Sequence, residues 1–162
     1  MIISHKHKFI YFKAMKVAGT STEIILSDLV DKEDIVTPIA PQDSKSHNPR
    51  NHNGFINHMS PCCLKNKMGK DAFNSYFKFI TVRNPYDRIV SWYFWEKFSR
   101  RNLKKTFREF VISERGKSLI PFSDWVIVDG KSIMDDYIRY EDLENETTRV
   151  LSKWFDIDKL LY

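Results

Sequence analysis

The stretch that most constrains this chain is YFKFITVRNPYD, Tyr76 to Asp87. Tyr76 to Val82 is a short, nearly continuous apolar run, the pattern of a strand buried on both faces rather than one half in water. It passes almost at once into a helix start. Asn84 can cap, Pro85 takes the favoured first helical position and Asp87 the third, beside the positive end of the helix dipole. A doubly buried strand that feeds a helix belongs to a layered α/β protein.

The remaining segments repeat this alternation. Lys8 to Phe12 reads as a strand, and Thr20 to Leu29 as a helix offering Ile24, Ile25 and Leu29 to a core. Asp34 to Ile39 is a second short strand ended by Pro38, and Ala40 to Pro61 is irregular, rich in Pro, Asn, Ser, His and Gly. Such long irregular stretches are usually functional or disordered. The helix begun at Pro85 extends to about Lys105, and Thr106 to Glu114 forms another. DWVIVDGKSI carries the Asp-Gly signal of a tight hairpin, DYIRY is a last core strand, and an amphipathic helix runs from Glu141 to Phe155. The expectation is an α/β fold with a mainly parallel sheet, in one domain spanning residues 1–162.

Charge and cysteine usage narrow the function classes. Lys and Arg number 26 against 21 acidic residues, a net charge of +5, which favours an anionic ligand or partner. Cys62 and Cys63 are adjacent, which excludes a disulfide framework and lacks the spacing of a zinc site, so no metal centre is expected and a reducing, cytoplasmic compartment fits. Charges interrupt the apolar N-terminal stretch, and no segment approaches the ~18 apolar residues of a membrane span.

The loop KVAGTS, Lys16 to Ser21, enters the first helix. Helix N-termini present unpaired N–H groups and partial positive charge, so this loop can bind an anion: Gly19 admits close backbone approach, Thr20, Ser21 and Thr22 add hydroxyls, and Lys16 adds a full charge. Alternatively Thr20 and Glu23 form a capping box, which accounts for both as helix-start devices. The G-x-x-x-x-G-K-[ST] pattern of nucleoside triphosphatases is absent, which leaves an ATP-dependent kinase as a distant reading. Further along, Arg83 leaves a buried strand while Asn84, Asp87, Arg88 and Ser91 share one helix face, so Arg83 and Ser91 can converge on one anion at the strand's carboxyl end. A salt bridge for Arg83 and plain packing for Ser91 are the structural alternatives.

Together these motifs resemble the sulfotransferases that use 3′-phosphoadenosine 5′-phosphosulfate (PAPS), in particular the carbohydrate and membrane-associated branch. KVAGTS is similar to the family's 5′-phosphosulfate loop, FITVRNPYDRIVSWY to its 3′-phosphate motif, DYIRYEDL to its late Tyr-Glu-Asp-Leu element, and INHMS falls where many members carry a substrate-side histidine. Order and spacing agree over residues 8–156. The resemblance implies a three-layer α/β/α, P-loop-NTPase-like fold with a mainly parallel central sheet. It also implies that Lys16, Val17, Ala18, Gly19, Thr20, Ser21 and Thr22 hold the 5′-phosphosulfate, that Lys16 neutralises the leaving oxygen, that Arg83 and Ser91 bind the 3′-phosphate, and that Tyr140 lies near the adenine. The reaction would pass the sulfuryl group to a hydroxyl, most naturally of a carbohydrate, and release 3′,5′-adenosine bisphosphate. His58 is the candidate general base, although histidines of a polar loop, His47 and His52 among them, are often only solvated.

The segment from Glu96 to Glu114 mixes basic residues with aromatics and is either a solvated face or a surface for an anionic polymer. Nucleic acid is not the expected partner. Family members are commonly longer, with an N-terminal anchor and a C-terminal helical region. A chain ending at Tyr162 would therefore be a compact enzyme, completed by homo-oligomerisation, or a non-catalytic phosphoadenosine- or polyanion-binding homologue.

Overall fold

The computed structural model describes residues 1–39, 47–99 and 104–157. In chain order the strands are β1 (Ile2–Ser4), β2 (Phe9–Phe12), β3 (Ile35–Val36), β4 (Phe77–Val82), β5 (Ile127–Val128), β6 (Lys131–Ser132) and β7 (Asp136–Arg139). The helices are α1 (Gly19–Leu29), α2 (Pro61–Met68), α3 (Lys70–Ser75), α4 (Pro85–Ser99), α5 (Phe107–Ile112), α6 (Glu114–Lys117), α7 (Ser123–Val126) and α8 (Leu143–Leu151). The main sheet has the order β3-β1-β2-β4-β7; β5 and β6 form the separate hairpin expected from Asp129-Gly130.

The sheet is mixed. β2, β4 and β7 run parallel, but β1 is antiparallel to both β2 and β3. The run IIS before the first expected strand is itself a strand, and only the short turn through Lys8, at φ 56°, joins it to β2. Parallel neighbours need a crossover of a dozen or more residues, so a link this short enforces an antiparallel pair.

Alternation along the strands divides the core between two faces. Ile3, Ile10, Phe12 and Ile80 pack with Leu64 of α2, Phe73 of α3 and Trp125 of α7. Their neighbours Ile2, Phe9, Tyr11 and Phe79, with Ile138, pack with Leu26 of α1 and with Val150 and Leu151 of α8. Burial of each such side chain contributes about 1.5–3 kcal/mol. A third cluster, Trp92 and Tyr93 of α4 with Phe110 of α5, includes Met15 from the loop after β2.

Several expectations change. α1 buries Thr22, Glu23, Leu26 and Ser27; Leu29 packs against the core as expected, but Ile24 is only half-buried and Ile25 faces outward. Thr20 and Glu23 do not form a capping box: the N-cap is Ala18, without a side-chain bond, and Glu23 is buried. Its carboxylate accepts from the Lys13 ammonium at 2.5 Å and from the Met1 amino group, so tertiary ion pairing has displaced the local cap. The capping box occurs instead at Thr106 and Glu109 of α5. α4 is described as far as Ser99, and Lys104 and Lys105 are not helical; residues 100–103 lie outside the described set, as do 40–46 of the irregular stretch. α8 covers only Leu143–Leu151, after a single 3-10 turn at Tyr140–Asp142.

Candidate active site

Because β2, β4 and β7 are parallel, the segments after Phe12, Val82 and Arg139 leave the sheet on the same side. They line one cleft of about 570 Å³, with α4 and α6 completing the wall. Ligands in α/β sheets bind outside the carboxyl ends of strands for this reason. Lys16, Ala18, Gly19, Thr20, His58, Arg83, Ser91 and Tyr140 all line it. The two motifs, 67 residues apart as Lys16 and Arg83, therefore share a single cavity.

The loop from Lys13 to Ala18 is tightly wound. Lys16 (φ 62°) and Ala18 (φ 59°) adopt left-handed conformations that are costly outside glycine. His58, across the cleft, does the same at φ 58°. Strained residues persist where the surroundings over-determine them, and three border one cavity here. Gly19 does not need positive φ; a Cβ on it would lie 2.7 Å from Cγ of Lys13, so its missing side chain makes room for the Lys13 stem. Arg88, grouped by sequence with the anion-facing residues, is instead buried and donates from Nε to the Met15 carbonyl (3.2 Å) and from Nη2 to that of Ile120 (3.3 Å). It clamps the residue beside Lys16.

Of the cations in the cleft, the two expected from the sequence sit against aromatic rings. The Lys16 ammonium sits 5.3 Å from the Trp95 ring centroid, and the Arg83 guanidinium stacks 3.9 Å from that of Tyr140. The Arg83 Nε is buried and has no hydrogen-bond partner among the described residues, a donor awaiting an acceptor. Burial, and then the nearby Arg83 charge, lower the Lys16 pKa, against an opposing pull from Glu96. A bound anion would relieve this crowding of positive charge.

His58 is held in one tautomer. Its Nδ1 lies 2.7 Å from the Lys13 carbonyl oxygen; a carbonyl only accepts, so Nδ1 carries the proton and Nε2 keeps its lone pair. The ring stands edge-on to Trp125. Burial lowers its pKa below the ordinary 6.5, with the Lys13 carbonyl bond opposing and the Lys13 ammonium assisting. His47, expected to be solvated, bonds the Thr37 carbonyl through Nε2.

Other residues of the motifs lie elsewhere. Val17 is fully buried in the core. Ser21 and Thr22 point away from the cleft and line an apolar cavity of about 390 Å³ between α1 and α8. Conversely, Lys13 and Arg115, which belong to no motif, also line the cleft, as do Trp92 and Trp95, whose sequence reads as core and rim packing of α4. Trp95 was within reach as the residue one turn after Ser91. Arg115, tied by Nε to Glu96 at 2.8 Å and stacked on Trp92, comes from α6 and had no local signal.

A cleft with cations at separate points, beside an imidazole whose Nε2 keeps its lone pair, is suited to group transfer from an anionic donor. A family model described as Sulfotransferase family matches residues 1–157. The chain belongs to the sulfotransferase family. An uncharacterized protein of Archaeoglobus fulgidus is 33% identical over 92 residues, which cover 56% of this chain and 77% of that protein. No solved structure matches.

Proposed function

We propose that this chain transfers a sulfuryl group from PAPS to a hydroxyl of a carbohydrate acceptor. The observation that carries the reading is the shared cleft: Lys16, Gly19 and Thr20 at one point and Arg83 and Ser91 at another face a single cavity. PAPS, consumed as a substrate, supplies an activated sulfuryl group on a phosphate leaving group. The residues present fit it, since the orphaned Arg83 Nε suits the 3′-phosphate and the start of α1 suits the 5′ end.

Each residue then has a defined task. Lys16 neutralises charge that gathers on the bridging oxygen as the bond from sulfur to that oxygen breaks. His58 Nε2 accepts the proton of the acceptor hydroxyl as its oxygen bonds to sulfur, which leaves a sulfate ester and 3′,5′-adenosine bisphosphate. Positioning and electrostatics carry most of the acceleration, as in phosphoryl transfer.

Calorimetry of 3′,5′-adenosine bisphosphate against AMP and ATP tests the donor assignment, and equal affinities would refute the roles of Arg83 and Ser91. Lys16→Ala should abolish most turnover while bisphosphate binding remains; a protein without PAPS-dependent turnover that still binds the bisphosphate would be a binding module.

A further inference from the structure

Outside the cleft, the corner formed by α4 and α5 exposes apolar side chains that the described residues leave uncovered. Phe98 and Ile112 are 68% and 66% exposed, and Phe94, Phe107 and Val111 are exposed as well. Its aromatic part is linked ring to ring: Phe98 stacks on Phe94 at 5.8 Å, Phe94 meets the buried Tyr93 at 5.3 Å, and Tyr93 meets Phe107 at 5.4 Å, with Val111 and Ile112 following Phe107 on α5. Aromatic side chains each carry roughly 150–250 Å² of surface. At these exposures the patch amounts to several hundred Å², a size that in a soluble chain marks an interaction site.

The chemistry of the patch selects its occupant. Val111 and Ile112 offer neither hydrogen bonds nor a π-face, so a glycan or nucleic acid gains nothing from them; they require a dry, apolar partner. The exposed charges of these segments are basic: Lys97, over the Tyr93 ring, Lys104 and Lys105 just before α5, and Arg108 on it. Glu109, the acid on the same helix, is turned into the capping box with Thr106. A second copy of the chain would set this basic rim against itself, at a cost. An anionic lipid surface accepts both parts, lysines at the headgroups and phenylalanines in the acyl boundary.

We infer that the α4–α5 corner docks the protein peripherally on anionic membranes. α4 also lines the cleft with Ser91, Trp92 and Trp95, and Ser91 and Trp95 share the helix stripe of Phe94 and Phe98, so docking would hold the cleft close to the bilayer. The inference does not depend on which donor the cleft takes.

Co-sedimentation of the full chain with vesicles of phosphatidylcholine and phosphatidylserine (4:1), against phosphatidylcholine alone, tests it. Binding is expected to the mixed vesicles and to weaken at least tenfold in 0.5 M NaCl. Phe98→Ser with Ile112→Ser, and separately Lys104→Glu with Lys105→Glu, should each reduce partitioning about tenfold or more without altering the thermal transition, because all four side chains are exposed. No binding to mixed vesicles at low salt overturns the inference. So does binding undiminished by the serine pair, which reveals charge attraction alone, or a dimer in light scattering that the serine pair dissolves, which identifies a second copy as the occupant.

Discussion

Replacing Glu23 with leucine should destabilise the protein severely, although Glu23 touches no expected ligand. The Lys13 and Glu23 side chains are 4% and 0% exposed. Glu23→Leu strands the Lys13 ammonium in the core and removes a partner of the Met1 amino group. Breaking one side of a buried pair costs about 3–5 kcal/mol, a large share of the roughly 5–15 kcal/mol that stabilises a domain. For a chain of 162 residues each kcal/mol shifts the melting temperature by roughly 2–4 °C, so a fall of roughly 6–20 °C is expected in calorimetry. Lys13→Met with Glu23→Leu removes both charges and keeps a stem against Gly19, and should recover most of that loss. A shift below about 2 °C for the single variant, or a double variant no more stable than the single, would refute the argument. The pair also bears on the site, because the Lys13 carbonyl orients His58 and its stem underlies Gly19.

Under the proposed chemistry, His58→Ala should lower kcat by about 10²–10⁴, with little change in bisphosphate affinity by calorimetry. Only neutral His58 accepts a proton; burial lowers its pKa, so the acid limb of the kcat profile should fall below 6.5. A charged Lys16 is needed, and its lowered pKa should bring the alkaline limb below 10.5. Tyr140→Leu removes the ring beneath Arg83 and should weaken 3′,5′-adenosine bisphosphate binding by roughly 2- to 30-fold, from about 0.5–2 kcal/mol of cation–π attraction. Gly19→Ala drives a Cβ to 2.7 Å from Lys13 Cγ and should cost about 1–3 kcal/mol in urea titrations.

The sequence was most legible where a short segment determines its own structure. Asn84, Pro85 and Asp87 start a helix because capping, a fixed φ and the dipole act within one turn, and Asn84 Oδ1 does accept from the Tyr86 amide at 2.9 Å. Asp129-Gly130 makes its hairpin because both residues take positive φ. The Thr20–Glu23 box failed although its spacing was correct, since a buried lysine offers Glu23 a stronger partner than the helix N-terminus does. For the same reason α1 turned a different face inward than its isoleucines suggested.

Residue order alone determined the alternation of strand and helix, and with it the parallel core of β2, β4 and β7 whose loops open on one side. It also determined the charges and hydroxyls those loops carry, because each motif is local and sits at a strand end. Only the tertiary structure decided that Lys16 and Arg83 share a cavity, that Arg88 and Thr22 turn away from it, and that Lys13 and Arg115 join it. Those outcomes depend on which buried charges find partners across the fold, and a partner's position is a property of three-dimensional packing that no spacing along the chain encodes.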